Sequence, residues 1–276
     1  MLSAQRQIED TPSIPRNECN VASRLHVFSP EEIAMSPSLQ RRGRTDESQA
    51  REVKFLIGAQ MAAEIEGRVA KVLTVDPHVD PAIGNGYDIA TLYYDTPEWD
   101  VFHRRGRYGL IKFRARRYGT SPEVFLERKS RQKARVRKRR TMIHAEEFDR
   151  FDASVSQFQD DSAWFHRQLA RHKFRPACLV GYRRDAYFSA GGDTPIRVTF
   201  DRDIRGGVVS HWSFGSPTAS IALLADSVVC EFKFRGSMPA GLKSFLHEFQ
   251  LSPHGVSKYR KCMQAAGFTS AETSRA

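Results

Sequence analysis

Lysine and arginine residues alternate with apolar residues along a short segment near the middle of the chain. Lys112, Arg114 and Arg116 lie two positions apart, with Phe113 and Ala115 between them. Residues two apart on a β-strand point to the same face, so this spacing predicts a strand with one cationic and one apolar face. A row of such cations binds phosphate oxygens, arginine through a planar fork and lysine as a point charge. The chemistry predicted for this segment is the binding of phosphate groups.

The same alternation recurs in other segments that are rich in β-branched and aromatic residues. Grouped by shared face, their polar residues are Glu52 with Lys54, Glu127 with Lys129, Arg135 with Arg137 and Arg139, Tyr182 with Arg184, Arg197 with Thr199 and Asp201, and Glu231 with Lys233. On an ordinary antiparallel sheet such faces contact solvent. A ring of inward-facing cations would instead repel itself unless an anion is bound inside. On this pattern alone, a solvated sheet and a cationic tunnel that binds a polyanion both stay open.

The positive charge of the chain is concentrated in the same region. The 276 residues contain 43 lysines and arginines against 32 acidic residues, a net charge of +11. Residues 104–140 alone contain 16 basic and two acidic residues. This local excess predicts an anionic partner. No RNA- or DNA-binding motif is present and aromatic residues are not interleaved with the basic ones, so the sequence indicates no specific nucleic-acid partner.

The cysteines, histidines and apolar runs indicate no further kind of site. Four cysteines lie far apart without a CxxC pair, and nine histidines show no HExxH or HxH spacing. This argues against a disulfide framework or a structural zinc site. No apolar run approaches the ~20 residues that span a bilayer, and the N-terminus lacks a hydrophobic signal region. We therefore expect a cytoplasmic protein with no membrane span.

The elements that must position the cationic residues are predicted mainly as strands. Eight segments have a period of two, namely 51–57, 87–95, 108–118, 124–129, 134–143, 178–188, 196–204 and 228–234. Helical spacing is found at 59–73, with weaker candidates at 163–172, 240–249 and 257–265. Many strands with few helices between them predict an α+β fold, a barrel with packed helices.

The two ends of the chain differ in composition from the middle. Residues 1–49 are rich in Ser, Pro, Arg and Glu and show no sustained period, so we expect a disordered leader there. We also expect a disordered tail at 267–276. The folded domain is therefore predicted to span 50–266.

Short motifs along the predicted domain resemble one known family. They are REVKF at 51–55, TLYYDT at 91–96, KFRARRY at 112–118, FLERK at 125–129, YRRDAY at 182–187, IRVTFD at 196–201, CEFKF at 230–234 and VSKY at 256–259. In this order they resemble the VTC domain, the polyphosphate polymerase domain of the vacuolar transporter chaperone family, a branch of the triphosphate tunnel metalloenzymes. The resemblance covers about residues 50 to 266. It implies a closed, eight-stranded antiparallel β-barrel with flanking helices, the triphosphate tunnel or CYTH-like fold.

The resemblance also implies an activity and a set of site residues. The implied activity is transfer of the terminal phosphate of ATP onto a growing inorganic polyphosphate chain, with Mn²⁺ or Mg²⁺ as cofactor. The implied catalytic residues are Lys54, Arg114, Arg116, Lys129, Arg197 and Lys258. Phosphate binding is implied for Lys112, Arg184, Lys233 and Ser257, and metal binding for Glu231.

Two other functions stay open beside the polymerase. One is hydrolysis of tripolyphosphate or nucleoside triphosphates, as in relatives of the same fold that carry several metal-binding glutamates and an E-x-E-x-K opening. Here the position two before Glu52 is Ala50, and the late strand contains Glu231 as its one glutamate. A site with few metal ligands and many cations is better suited to binding a long polyanion than to activating water for hydrolysis. The other is a non-catalytic module that only binds polyphosphate.

Overall fold

The computed structural model of this chain describes residues 50–80, 84–132, 135–150, 161–189, 195–217 and 219–269. The expected leader, 1–49, lies outside the described residues, as do residues 270–276 of the expected tail. The predicted limits of the folded domain therefore stay a prediction.

Strands dominate the described part of the chain, which contains ten of them and five α-helices. The strands are β1 (Ala50–Gly58), β2 (Thr74–Val75), β3 (Gly86–Asp95), β4 (Ile111–Tyr118), β5 (Glu123–Gln132), β6 (Arg135–His144), β7 (Arg175–Phe188), β8 (Arg197–Val208), β9 (Ile221–Ala222) and β10 (Ser227–Arg235). The helices are α1 (Ala59–Val69), α2 (Ala145–Asp149), α3 (Ala163–Arg171), α4 (Ala240–Glu248) and α5 (Lys258–Ala265). Among these helices, none combines the length and the apolar character that crossing a bilayer requires.

The ten described strands form one antiparallel sheet. Its strand order is β1-β10-β8-β7-β3-β4-β5-β6, with β2 beside β7 and β9 beside β8. The expected closed eight-stranded barrel is wrong. Within the described residues, β1 and β6 end the sheet, and they pair only with β10 and β5 respectively.

The outer edge of β1 is bonded by another segment of the chain. The N–H of His254, in the connection before α5, donates a hydrogen bond of 2.7 Å to the carbonyl oxygen of Lys54. A closed barrel needs a backbone ladder between its first and last strands, whereas alternation within strands does not specify which edges pair. Side chains of β1 and β5 nonetheless meet, since Lys129 Nζ lies 2.9 Å from Glu52 Oε2. The sheet is therefore curved, and it is open between β1 and β6.

Helices pack on the outer face of this curved sheet. Helices α1 and α4 cover β1, β8 and β10, where the ring centroids of Phe232 and Phe245 lie 6.2 Å apart. Helix α3 covers β4, where Phe165 lies 5.6 Å from Phe113 between ring centroids. Burial of these aromatic rings contributes the main driving force for packing. The inner face is left for polar side chains.

Strand β4 begins three residues later than the sequence predicts, at Ile111 instead of 108. Gly106 has a positive φ of 47° and begins a 3-10 helix, Gly106–Leu110, that precedes the strand. This turn holds Tyr108 out of the sheet, with its hydroxyl 3.4 Å from His172 Nδ1. The predicted strands are otherwise found, with bounds that shift by a few residues at their ends.

Candidate functional site

The inner face of the sheet surrounds a cavity of about 300 Å³. All eleven residues that the sequence predicts for the site line this cavity. Among the described residues, its wall contains eleven lysine and arginine side chains and two carboxylates, those of Glu52 and Glu231. The lining residues that the sequence did not assign are Glu52, Tyr93, Tyr118, Lys138, Arg140, Tyr182, Thr199 and Val256. Such an excess of positive charge in a partly enclosed space suits a polyanionic ligand.

A larger cavity, of about 500 Å³, lies between β3, β7, β8 and a segment that includes Phe214, Pro217 and Ser220. Its charged lining residues are of both signs, with Asp88 and Asp203 near Arg183 and Arg205. Charges of opposite sign side by side give no strong field of one sign, so this cavity lacks the feature that makes the first one suited to phosphate.

Strand β4 places three of the predicted residues on the cavity wall. Phe113 and Ala115 are 1% and 0% exposed and pack into the core. Lys112, Arg114 and Arg116 alternate with them and therefore turn towards the cavity. The apolar residues of this strand determine which of its faces packs on the core, because Phe113 and Ala115 would be exposed if the strand were turned over.

A row of polar side chains crosses β1, β10 and β8. Lys54 is paired with Glu231 in the β1–β10 ladder, and Glu231 with Thr199 in the β10–β8 ladder. The Lys54 ammonium group forms an ion pair with the Glu231 carboxylate and lies 3.7 Å from Glu52 Oε2. Burial lowers the pKa of Lys54 to about 7, an effect that Glu52 opposes and Lys129 strengthens. The charge of Lys54 is therefore sensitive, near neutral pH, to any anion that enters the cavity.

Glu127 is a buried carboxylate on β5, 1% exposed, behind the part of the wall that β4 and β6 form. Its Oε2 accepts a hydrogen bond of 2.5 Å from Arg114 Nε. Its Oε1 lies 3.4 Å from Lys138 Nζ and 3.2 Å from Arg140 Nε. Burial raises the pKa of Glu127, but the surrounding cations outweigh burial and hold this pKa well below its usual range. One internal carboxylate thus orients three cations of the wall.

Asp201 on β8 is a second buried carboxylate that orients cations of the wall, and it is also 1% exposed. Its two oxygens accept hydrogen bonds of 2.6 and 2.8 Å from Nε and Nη2 of Arg184. Lys258 also donates to Asp201, and its ammonium group lies 4.3 Å from the ring centroid of Tyr182. Against the effect of burial, Arg184 and Lys258 hold the pKa of Asp201 well below its usual range. Arg184 is thereby held in one orientation, with Nη1 not engaged by this carboxylate.

Three lysines lie side by side on neighbouring strands. Lys112 is opposite Lys129 in the β4–β5 ladder, and Lys129 is opposite Lys138 in the β5–β6 ladder. Burial, together with Lys129 and Arg114, lowers the pKa of Lys112 to about 8. Like charges directly opposite each other destabilise a sheet. A bound anion would remove this repulsion, so the row is suited to a chain of phosphates.

The start of helix α5 closes one side of the cavity. Ser257 is the N-cap residue, and its hydroxyl accepts a hydrogen bond of 3.4 Å from the N–H of Arg260. The same hydroxyl accepts a hydrogen bond of 3.2 Å from Lys112 Nζ. Ser257 therefore holds the helix start against β4, and phosphate binding by its hydroxyl stays a prediction.

Arg197 and Lys233 are opposite each other in the β10–β8 ladder and also line the cavity. Nη2 of Arg197 donates hydrogen bonds of 2.7 Å to Asp76 and 2.9 Å to the hydroxyl of Tyr87. The Arg197 side chain is 43% exposed, which leaves much of its guanidinium open to a ligand.

Strand β6 contributes two cavity residues, Lys138 and Arg140, that the sequence did not assign. The cationic face predicted for this strand consists of Arg135, Arg137 and Arg139. That choice of face is wrong, because Arg139 packs against helix α3 on the outer side of the sheet. Both faces of this strand are basic and each also carries an apolar residue, Met142 on the cavity side and Ile143 on the core side, so alternation alone does not set its phase. The side chain of Arg135 lies outside the described residues.

The surroundings of Glu231 fit a divalent ion that phosphate oxygens also bind. Next to it on β8, the hydroxyl of Thr199 is buried and meets no hydrogen-bond partner among the described residues. No group of three or more His, Cys, Asp or Glu side chains in the described ranges could hold a metal by protein ligands alone. Mg²⁺ and Mn²⁺ prefer oxygen ligands, and Mg²⁺ is usually bound through one or two carboxylates together with substrate phosphates. A carboxylate beside a hydroxyl is compatible with such shared binding.

Comparison with known proteins gives a family match over most of the chain. The model of the VTC domain family matches residues 49–266. No curated protein matches the chain. Among solved structures, HpAC1 from Hippeastrum, described as having a dominant triphosphatase activity, is 14% identical with a TM-score of 0.47, over 78% of this chain and 95% of that chain. The PH1819 protein from Pyrococcus horikoshii OT3 is 15% identical with a TM-score of 0.41, over 78% of this chain and 99% of that chain.

Proposed function

Because this chain belongs to the VTC domain family, we propose that it is a metal-dependent polyphosphate polymerase. It transfers the terminal phosphate of ATP onto a growing inorganic polyphosphate chain. The observation that carries this proposal is the composition of the cavity wall, where eleven cations stand against two carboxylates among the described residues. A wall of that composition favours a ligand with many negative charges over one with few.

The buried carboxylates prepare the cations for a phosphate chain. Glu127 and Asp201 bind one edge of Arg114 and of Arg184, which leaves other N–H groups of each guanidinium for a ligand. Groups that are already oriented lose little freedom when the ligand binds, so they contribute more to binding and to transition-state stabilisation. Glu127 and Asp201 therefore act as positioning residues, and the arginines contact phosphate.

Phosphoryl transfer needs positioning and charge stabilisation more than it needs a strong protein base. In this proposal, Lys54 and Arg116 bind the oxygens of the phosphate that is transferred, and Lys112 and Lys129 bind the phosphates of the accepting chain. Lys54 and Lys112 take on full positive charge as phosphate binds, because the pKa values lowered by burial rise again beside an anion. The wall thus adapts its charge to the ligand.

The proposed metal is Mn²⁺ or Mg²⁺, held by Glu231 with phosphate oxygens and water as its other ligands. When bound, such an ion neutralises charge that develops on the phosphate oxygens. Glu231 can accept the ion if Lys54 turns from this carboxylate to a phosphate oxygen, since the two side chains are in contact without a ligand.

The test is analysis of the products formed from ATP by the purified chain. The protein is incubated with ATP and Mn²⁺, with and without a short polyphosphate primer, and the products are separated on a gel. We expect polyphosphate from the native chain and none from Lys54→Ala. Lys71→Ala, which removes an exposed lysine after α1, should leave polymer formation unchanged.

The products also distinguish the other two functions. Release of orthophosphate without polymer would contradict the polymerase and indicate a triphosphatase or polyphosphatase. Tight binding of polyphosphate without any turnover of ATP would indicate a module that only binds the polymer.

A further inference from the structure

Strand β6 is an edge strand with cations on both of its faces. In the part of the chain that the structure describes, β6 pairs with β5 alone, so its other edge is not covered by a strand. Lys138 and Arg140 point into the cavity. Arg137 and Arg139 alternate with them and are exposed on the outer face. Cations therefore lie on both sides of this edge strand, inside the cavity and outside it.

Two guanidinium groups on the outer face of β5 and β6 lie over aromatic rings. Arg139 lies 4.3 Å from the ring centroid of Trp164, and Arg128 lies 6.0 Å from that of Phe113. Arginine stacked in this way is partly ordered before any ligand binds. Both rings belong to the core, so the stacked groups are anchored to a rigid part of the fold.

Two of these outer arginines are placed directly opposite each other. Arg128 and Arg139 are partners in the β5–β6 ladder, and like charges directly opposite each other destabilise a sheet. Nε of Arg128 is buried and has no hydrogen-bond partner among the described residues. A bound anion would remove the repulsion between the two guanidinium groups.

The positive field extends beyond the strands. His172, beside α3, has a pKa lowered by burial and by three nearby arginines, Arg107, Arg171 and Arg128. Arg107 and Arg171 are exposed, and they belong to the turn before β4 and the end of α3. The outer arginines are therefore part of a wider cationic surface.

We propose that Arg128, Arg137 and Arg139 form an outer site for the polyphosphate chain, which leaves the cavity across the edge of β6 that no described strand covers. This inference rests on the proposed function and extends it to the path of the product. Adjacent residues of a strand are about 3.4 Å apart and point to opposite faces. A chain bound at Lys138 therefore reaches the outer arginines by crossing a single strand.

A flexible linear polyanion fits this path better than other anionic partners. A nucleic-acid duplex or an anionic membrane could contact the outer arginines but could not also enter a cavity of about 300 Å³. A polyphosphate chain is thin enough to contact both faces of the same strand at once. Simultaneous contact links the two sites and raises the affinity for long chains only.

The test compares short and long ligands on the double variant Arg137→Gln/Arg139→Gln. The ligands are tripolyphosphate, which has too few phosphates to bind both faces, and a long-chain polyphosphate. We expect the dissociation constant of the long chain to rise at least about fivefold, the loss of two exposed ion pairs. Binding of tripolyphosphate should stay within about twofold of the native value, because the cavity cations are intact.

Two further variants are measured beside the double variant. The control Lys71→Gln/Lys243→Gln removes the same charge from two exposed lysines, one after α1 and one in α4, and should bind the long chain like the native protein. Arg137→Gln alone leaves the contact of Arg139 with Trp164 in place, so a smaller loss in this variant supports the path even if the double variant is unstable.

Each outcome separates the outer site from the proposed function. If the native protein binds both ligands and the variants bind the long chain unchanged, the outer site is wrong and the proposed function stands. Equal loss in the control variant would also overturn the outer site, since net charge alone would explain it. If the native protein binds neither ligand, the proposed function fails and the outer site with it. Tighter binding of duplex DNA or of anionic vesicles than of the long chain, lost in the double variant, would replace polyphosphate by that partner.

Discussion

The carboxylate of Asp201 on β8 binds the ammonium group of Lys258, the first residue of helix α5. The contact joins two elements that are 57 residues apart in sequence. Asp201 also binds Arg184 through two hydrogen bonds, so a single buried acid holds cations from a strand and from a helix. The cavity is therefore not a uniform ring of positive charge. It has internal counter-ions that do not face the ligand.

Asp201→Asn tests this internal counter-ion. The variant keeps the shape of the side chain but leaves Arg184 and Lys258 buried without a negative partner. Removal of one partner from a buried ion pair costs about 3 to 5 kcal/mol, so the melting temperature should fall. Tripolyphosphate should restore more stability to the variant than to the native protein, because phosphate replaces the lost charge. Asp226→Asn, at an exposed acid, is the control. Equal stabilisation of both variants by the ligand would contradict the role of Asp201.

Glu231→Gln tests the proposed metal ligand. The amide keeps the size of the side chain but binds a divalent cation poorly, so turnover in the presence of Mn²⁺ should fall at least about tenfold. Binding of tripolyphosphate in the presence of a chelator should not weaken, because Lys54 becomes free to bind phosphate. Glu52→Gln also removes a wall carboxylate, one that contacts Lys129, and should retain metal-dependent turnover. Loss of chelator-resistant binding together with turnover would rule out a role for Glu231 in metal binding.

Lys138→Gln tests a cavity residue that sequence analysis did not assign. Its ammonium group lines the cavity opposite Lys129, and two other cations still contact Glu127 after the change. We expect the dissociation constant of tripolyphosphate to rise about fivefold, as for a partly exposed charge contact. Arg137→Gln, one residue away on the opposite face, is the matched control and should not weaken tripolyphosphate binding. The reverse order of the two effects would show that the phase of β6 is wrong.

The direction of the cationic side chains follows from the sequence where a strand has one apolar face. In β4, Phe113 and Ala115 must be buried, so the direction of Lys112, Arg114 and Arg116 follows from alternation alone. In β6 this constraint is weak, because residues 137 to 140 are all basic and the apolar residues Met142 and Ile143 lie on opposite faces. The prediction for this strand is wrong for that physical reason.

Closure of the sheet and the internal counter-ions could not be predicted from the sequence. Alternation specifies the two faces of a strand but not the partner of its edges, and the outer edge of β1 is bonded by His254 instead of by β6. Glu127 and Asp201 were placed on the cationic faces by their spacing. Their burial behind the wall depends on neighbouring strands and on α5, contacts that are distant in sequence.

The two lysines with lowered pKa values predict a pH-dependent affinity for phosphate. The pKa is about 7 for Lys54 and about 8 for Lys112, because burial disfavours their charged forms. A bound phosphate favours the ammonium form, so binding should take up protons between pH 7 and 9. Because the terminal phosphates of tripolyphosphate also lose a proton towards pH 9, the affinity at each pH is compared with that of Lys54→Arg, which keeps its charge throughout this range. The ratio of the native affinity to that of this variant should fall as the pH rises from 7 to 9.

Titration calorimetry in buffers of different ionisation enthalpy measures this proton uptake directly. Lys54→Arg should reduce the uptake, because arginine stays charged throughout this pH range, whereas Lys71→Arg at the exposed control position should not. The stability of the free protein provides a second check, because these two lysines should make stability rise with pH while their contribution to phosphate affinity falls. Between pH 7 and about 10, unfolded lysine holds a proton that folded Lys54 and Lys112 lack, so these two groups make the folded state more stable as pH rises. A ratio of native to Lys54→Arg affinity that stays constant from pH 7 to 9 would contradict the lowered pKa of Lys54 and its direct contact with phosphate.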